Sequence, residues 1–390
     1  MKTNFSKEQN DFIKAKFSTL SNRQDVVELL NIVNKIMFGE KSIDFDLKLV
    51  MYFANPDLSQ NRYSTFLIKK KSGSYRTLNS PTFYFKAILR CFSKILEILH
   101  VPNDVAMGFV VNRSIVDNAK VHVGANFVYN IDLKDFFHSF DRNRVKIALM
   151  SNPFNLNGYK EKLAFFLACL FTHPINVCDD TKLVLPQGSP ISPILTNILC
   201  QKLDRRLSGL AKRFKSKYSR YADDISFSSN ENVFNNYNFQ KELKRIIEED
   251  QKLTINNRKT RLQKKGFKQE VTGLIINEKV NVSRKYVKQL RMWIYFIEKY
   301  GLDKAEMIFR RDYIKEKGHI KNISNPMINV LNGKLTFLKM VKGDQDETYL
   351  KLYDRLNKIV GNKNPLDILI ETWSTDGIEK AMDLYYSIEK

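Results

Sequence analysis

The sequence predicts an α+β fold in which a central antiparallel sheet is flanked by helices. Three observations lead there. Residues 1–50 carry apolar side chains at helical spacing, the middle of the chain interleaves short β-favouring runs with helical ones, and from Ser283 onward the pattern is helical and strongly basic. A chain of 390 residues with 43% apolar content can bury a substantial core, divided among two or three subdomains.

In the N-terminal region the pairs Val26-Val27, Leu29-Leu30, Ile32-Val33 and Ile36-Met37 recur as one face of a helix requires. A strand-turn-strand signal follows. Residues 63–68 and 75–78 are β-favouring, and residues 69–74 between them are basic, polar and glycine-containing. Helical spacing resumes over residues 83–99. Residues 125–133 read as a strand, and residues 163–171, apolar throughout, as a buried helix. Residues 185–204 open on Pro-Gln-Gly-Ser-Pro and continue as an apolar helix. An amphipathic Lys/Glu-rich helix over 239–249 leads into the short run 253–256, and residues 270–276 and 279–282 read as two further strands. Breaks fall at Ser324-Asn325-Pro326 and Asn332-Gly333, and residues 361–365 mark a boundary before a last short helix. No internal repeat or low-complexity block is evident.

Lys and Arg number 64 against 42 Asp and Glu, a formal charge of +22 with an isoelectric point near 9.6. An excess of that size favours a polyanionic partner, nucleic acid first. The 27 Phe and 17 Tyr include faces on which bases could stack, although most belong to the core. Cys91, Cys169, Cys178 and Cys200 have no C-x-x-C spacing, which argues against a zinc site or a disulfide framework. With no signal peptide, the expected location is the reducing cytoplasm. The longest apolar run, residues 163–171, is too short to span a bilayer, so no membrane role is expected.

The most informative stretch is Tyr221-Ala222-Asp223-Asp224 (YADD). Its flanks read as a strand pair, and Ala222-Asp223-Asp224 sits where a tight turn falls. Alone, an Asp-Asp pair is most often an acidic surface turn. Presented at a hairpin tip, the two carboxylates repel each other and make a hard-oxygen site suited to Mg²⁺. A second acidic cluster lies in Asn130-Ile131-Asp132-Leu133-Lys134-Asp135-Phe136-Phe137. Asp132 falls at the end of an apolar strand that could neighbour the hairpin, and Asp132, Asp223 and Asp224 would then converge on two metal ions. Asp135 reads equally well as a helix cap or as a functional acid.

Four blocks then occur in the order and spacing of reverse transcriptases. They are Asp132-x-x-x-Phe136-Phe137, Leu185-Pro186-Gln187-Gly188-Ser189-Pro190-Ile191-Ser192-Pro193, YADD, and Asn256-x-x-Lys259-Thr260. Over residues 20–365 the chain resembles that family. The resemblance implies a right-hand polymerase: an N-terminal helical region (1–50), fingers (51–124), a catalytic palm of antiparallel sheet and helices with some fingers insertion (125–282), a helical RNA-binding thumb (283–365) and a C-terminal extension (366–390) whose role stays open. It implies that Asp132, Asp223 and Asp224 are the catalytic metal ligands, holding two Mg²⁺ ions that Mn²⁺ could replace in vitro. Lys259 matches the lysine that helps protonate departing pyrophosphate, and Phe137 the aromatic that blocks a ribose 2′-OH. Gln187 and Gly188 match the segment lining the pocket for primer-template and incoming nucleotide. Lys69, Lys71 and Arg76 resemble the basic residues that grip the deoxynucleoside triphosphate.

Two further elements narrow the branch. Asn118-Ala119-Lys120-Val121-His122 resembles the N-A-x-x-H element of retron reverse transcriptases, and Val271-Thr272-Gly273 their V-T-G triplet. Alone, His122 would be a core or capping histidine. The resemblance to retron enzymes implies recognition of a cognate structured noncoding RNA, with Asn118 and His122 as candidate contacts. It implies priming from an RNA 2′-OH, a branched RNA–DNA product (msDNA), and an effector protein in anti-phage defence. Arg284, Lys285, Lys288, Arg291, Arg310, Arg311, Lys315 and Lys317 form a candidate RNA-facing surface, since RNA helices are read through shape and phosphates. The residues after the thumb are too few for an RNase H domain, so a host ribonuclease H is expected to remove the template. The alternatives are another defence-associated or diversity-generating bacterial reverse transcriptase, or a non-catalytic RNA-binding scaffold.

Overall fold

Residues 127–134, which bury Val128, Ile131 and Leu133, form an inner strand of the largest sheet. The structure, a computed structural model, describes residues 5–69, 73–177, 180–317, 326–360, 372, 373, 377, 379, 380 and 382. Its strands are β1 (Tyr63–Lys69), β2 (Tyr75–Pro81), β3 (Phe127–Lys134), β4 (His173–Val177), β5 (Asp180–Val184), β6 (Lys217–Tyr221), β7 (Asp224–Ser229), β8 (Thr254–Ile255), β9 (Arg261–Lys264), β10 (Glu270–Val271) and β11 (Leu274–Ile275). The strands β6, β7, β3 and β8 lie side by side in that order, β9 also pairs with β3, and every pairing is antiparallel. The pairs β1–β2, β4–β5 and β10–β11 are separate hairpins. The architecture is α+β, as the sequence predicts.

Two compact units divide the chain, Met1–Lys279 and Val280–Lys390. In the first, the helices Lys7–Ser18 and Arg23–Phe38 start on capping boxes, Ser6 with Gln9 and Asn22 with Asp25, and pack on the helix Phe83–Leu99. Their apolar faces join one core with the helix Glu161–Phe171, which is buried along most of its length. The second unit contains the helices Arg284–Tyr300, Leu302–Lys317, Met327–Lys342 and Glu347–Val360, packed around Leu290, Trp293, Ile294, Phe309, Leu335 and Leu352. No helix of the described residues is long and apolar enough to cross a membrane. Cys91, Cys169 and Cys200 are free, buried thiols.

Several expected boundaries move. The single helix expected after the Pro-Gln-Gly-Ser-Pro opening of 185–204 is two helices, Ser192–Leu199 and Gln201–Arg213, which break at Cys200. The helix expected over 239–249 begins at Tyr237 and turns into a π-helical segment, Arg245–Asp250. Residues 279–282 are not a strand; the hairpin lies earlier, as β10–β11, closed by Thr272 (φ +47°) and Gly273 (φ +81°). Asp135 caps no helix. It takes a left-handed backbone (φ +45°), and the helix Arg142–Met150 is capped instead by Asp141, which accepts from the Arg144 amide.

Candidate active site

The YADD motif is a two-residue turn. The strands β6 and β7 are joined by Ala222 and Asp223, with Tyr221 opposite Asp224 and Ala222 in a left-handed conformation (φ +56°). On the other edge of β7, Asp224 lies directly opposite Asp132 of β3. The strand period of two then puts Asp132, Asp224, Ser226 and Asn130 on one face of the sheet. Asp223, in the turn itself, is tied to β3 through its carbonyl, which accepts from the Leu133 amide at 3.2 Å. So the fold brings the backbones of the three aspartates to one end of the β3–β7 pair and its turn.

Like charges held together in a partly dry site resist ionisation. Burial, then Asp223 and Asp132, pushes the Asp224 pKa up to about 6, against the opposing pull of Lys259 and Arg261. Asp223 is also raised, by burial first and then by Asp132, while Lys259 and Arg76 pull it back. Among the described residues no three His, Cys, Asp or Glu side chains are gathered closely enough to hold a metal ion. Asp132 is held on both oxygens: Lys259 Nζ donates to its Oδ1 and Asn256 Nδ2 to its Oδ2, each at 2.8 Å. An ammonium thus sits on an acid face that hard-oxygen chemistry suits to a divalent cation. The chemistry of the three acids suits such an ion, and the exposed Lys259 side chain can leave Asp132.

Asp132 and Lys259 sit between two cavities. One, about 390 Å³, is lined by Arg76, Phe137, Gln187, Asp132, Asp223 and Lys259 among others. Its Gln187 loop is docked on β2, where the Asn79 amide donates to the Gln187 carbonyl at 2.8 Å. Gly188 is forced there by geometry: its φ is +109° and a Cβ would stand 2.8 Å from the Asn79 carbonyl oxygen. Phe137 is half-buried, its ring 5.7 Å from Phe136 and 6.3 Å from Phe109. The other cavity, about 530 Å³, is lined by Asp132, Asp224, Arg258, Lys259, Arg261 and the Thr272-Gly273 turn among others.

Not every expected residue is gathered there. Lys69 lies opposite Tyr75, and Arg76 opposite Ile68, so the two cations point to opposite faces of β1–β2 and only Arg76 reaches the cavity. Lys71 lies outside the described residues, as do the side chains of Lys315 and Lys317. Arg284, Lys285, Lys288 and Arg291 are exposed on the helix Arg284–Tyr300, away from its buried Leu290, Trp293 and Ile294. Arg310 and Arg311 are also exposed but are paired with Glu306 and Asp312.

Asn118 and His122 are corrected. Both are fully buried, so neither belongs to an RNA-facing surface. His122 Nε2 and Nδ1 are each 2.7 Å from a serine hydroxyl, Ser219 on β6 and Ser228 on β7, and Ser219 Oγ donates to Asn118 Oδ1 at 2.7 Å. With the one Ser219 proton committed to Asn118, Nε2 must donate to Ser219, and Nδ1 accepts from Ser228. The neutral imidazole therefore bridges both strands of the YADD hairpin. Burial, aided by Lys217, pushes its pKa down to about 3, which keeps it in that form. The V-T-G turn leans on the helix Ile115–Lys120, which carries Asn118 and ends just before His122, since Thr272 Oγ1 donates to the Ile115 carbonyl at 3.3 Å.

The opposite face of the hairpin carries residues that sequence reasoning passed over. Arg220, fully buried, makes a two-pronged pair with Asp204, Nε to Oδ1 and Nη2 to Oδ2, both at 2.7 Å. Its remaining donors go to Asn197 Oδ1 and to the Ala222 carbonyl inside the turn. Asn197 in turn donates to the Gly108 carbonyl at 3.0 Å. Gly108 presses against the turn so closely that a Cβ would fall 2.5 Å from the Ala222 amide nitrogen. The signal was an arginine in the interior of the short strand Lys217–Tyr221, which needs a carboxylate partner once it is buried.

Residues 68–276 match the family described as reverse transcriptase (RNA-dependent DNA polymerase). Among curated proteins, the chain is 38% identical to the retron Mx162 reverse transcriptase of Myxococcus xanthus, over 60% of this chain and 52% of that protein. It is 35% identical to the retron Mx65 reverse transcriptase of the same organism, over 60% and 55%. To the retron Ec86 reverse transcriptase of Escherichia coli it is 35% identical, over 64% of this chain and 73% of that protein. The chain thus spans about half the length of the two Myxococcus relatives. Members of the family generally use divalent metal ions. With its aspartate pair on adjacent antiparallel strands and more than half its length matched, the chain belongs to the reverse transcriptase family, in its retron branch.

Proposed function

We propose that this chain is an RNA-directed DNA polymerase of a retron. It copies part of a cognate structured noncoding RNA into single-stranded DNA, primed from an RNA 2′-OH, and leaves a branched RNA–DNA product. The observation that carries the reading is the register of Asp132 against Asp224, with Asp223 in the adjoining turn, beside a cavity that also holds Arg76, Phe137, Gln187 and Lys259. In this reading residues 51–124 serve as fingers, 125–282 as palm and 283–365 as thumb.

Asp132, Asp223 and Asp224 would hold two divalent cations, Mg²⁺ in the cell, which supply charge neutralisation for in-line displacement at phosphorus. The chain's own residues do the rest. Arg76 meets the triphosphate of an incoming deoxynucleotide, and Gln187 lines its seat. Phe137 walls the sugar edge and disfavours a 2′-OH. Lys259, released from Asp132, is placed to give a proton to the departing pyrophosphate. Arg284, Lys285, Lys288 and Arg291 supply a phosphate-binding face for the RNA. A host ribonuclease H removes the template, and an effector protein couples the ribonucleoprotein to anti-phage defence.

Sequencing nucleic acid that co-purifies with the expressed operon tests the retron reading. A branched RNA–DNA species is expected. Its absence, with the purified chain still extending a primer on RNA, would assign the enzyme to another bacterial reverse transcriptase. Absence of both would overturn the polymerase reading itself.

A further inference from the structure

A cavity of about 860 Å³ in the first unit shares no residue with the site above. The helix Leu47–Ala54 and the loop after it, the starts of the helices Arg23–Phe38 and Arg142–Met150, the helix Glu161–Phe171 and the β4–β5 hairpin form its walls. Arg23, Lys48 and Arg142 line it against one acid, Asp57. None of these three cations has a carboxylate partner among the described residues.

The Arg142 guanidinium lies over the Phe165 ring, 5.9 Å from its centroid, and its Nε donates to Thr172 Oγ1 at 3.3 Å. Its Nη2 is buried and has no hydrogen-bond partner among the described residues. The guanidinium thus carries its charge into the cavity wall with no acid of the described residues beside it. Arg23 lies over Phe166 at 5.2 Å. Behind them Arg62, buried, donates only to the carbonyls of Phe53, Cys169 and Thr172 and to His173, which adds positive charge without an acid. Burial raises the Cys169 thiol, and Arg142, Arg62 and Arg23 each pull it back, so all three fields reach one point in the wall.

The rim is apolar and open. Tyr52 is 45% exposed and Phe165 49%, with Met51 and Leu58 beside them. Free phosphate would satisfy the cations and leave the rings bare, while an aliphatic ligand would leave Arg23 and Lys48 without a counter-charge. Rings and ring-stacked guanidiniums together offer flat faces with fixed positive edges, which is how single strands are held: bases stack and phosphates meet cations. We propose that this cavity is a second nucleic-acid site, which takes a short stretch of a single strand with its bases on Tyr52 and Phe165 and its phosphates on Arg23, Lys48 and Arg142.

The test uses the full chain in EDTA, without deoxynucleotides, so that it is independent of polymerase activity. The probe is a 12-nucleotide single-stranded RNA carrying one 4-thiouridine. Its crosslinks are mapped, and its affinity is followed against salt for the wild type, Arg23→Gln with Lys48→Gln, and Tyr52→Ala. All three side chains are exposed and lie outside the candidate active site. Crosslinks at Tyr52 or Phe165 are expected. The double variant should lower the slope of log affinity against log salt by about 1.4, two phosphate contacts at ~0.7 each. Tyr52→Ala should weaken binding about tenfold, in the range of one lost base stack. DNA synthesis on a short supplied primer-template should be unchanged in both. An unchanged slope with no crosslink in this cavity overturns the proposal. Binding of an acidic, tyrosine-containing peptide that the double variant abolishes, with RNA binding unaffected, also overturns it and makes the cavity a protein-docking site.

Discussion

Replacing His122 tests whether the retron-specific motif works inside the protein as a brace for the catalytic turn. The imidazole makes two 2.7 Å hydrogen bonds to opposite strands of the hairpin and is wholly buried. In His122→Ala, Ser228 loses its acceptor and a ring-sized void opens, so a loss of about 3–5 kcal/mol is expected. His122→Gln fills most of the void and isolates the electrostatic part. The folded pKa of about 3 lies below the ordinary value of 6.5, so the fold favours the neutral ring. That contribution is complete above pH 6.5 and is lost as pH falls toward 3, at about 1.4 kcal/mol per pH unit. Urea unfolding at pH 7.5 and pH 5.0 measures it. Between those conditions the wild type should lose about 2 kcal/mol more than His122→Gln, the difference of 1.5 units from 6.5. At pH 7.5 the variant should also need more Mg²⁺ for half-maximal DNA synthesis, because Asp223 and Asp224 are held less firmly. Equal losses with pH in both proteins would show that His122 titrates freely and does not brace the hairpin.

Other substitutions probe the same turn from different sides. Gly108→Ala should depress DNA synthesis at least tenfold with little loss of RNA binding, since its Cβ would strike the Ala222 amide rather than a movable side chain; a fully active variant would show that the turn tolerates displacement. Gly188→Ala, strained by its φ of +109° and blocked by the Asn79 carbonyl, should raise KM for deoxynucleotide more than it lowers kcat; steady-state kinetics that show an unchanged KM would separate this loop from the substrate. Asp204→Asn leaves Arg220 buried without its counter-charge and should destabilise the protein by about 3–5 kcal/mol in denaturant melts, a loss that a surface pair would not produce.

The acid pair and the strand beside it were legible in sequence because they are local patterns, and the four blocks in register gave them, with the Gln187-Gly188 loop, a common chemical meaning. Asp132 faces Asp224 because strand register carries residues 127–132 past residues 224–229 without a bulge. What was not legible depends on which face of an element is covered. His122 looked like an RNA contact because motif position says nothing about burial; a helix laid across the hairpin encloses it. Lys69 and Arg76 looked equivalent as cations flanking one turn, and the pleat separates them. The Arg220–Asp204 pair spans a helix and a strand that meet only in the fold, so spacing could not couple them. The break at Cys200 has no Gly or Pro to mark it in the sequence.

The central claim is that Asp132, Asp223 and Asp224 form the metal-binding centre of a polymerase. Its most direct test is the double variant Asp223→Asn with Asp224→Asn, assayed for DNA synthesis on a primed RNA template and for binding of the same RNA without metal. Burial and mutual repulsion already oppose ionisation of both groups, so the amides should not lower the metal-free melting temperature. The account predicts DNA synthesis lost by at least a thousandfold, RNA affinity within about twofold of wild type, and no remaining Mg²⁺-dependent shift in melting. Synthesis at wild-type rates by the folded double variant would contradict it.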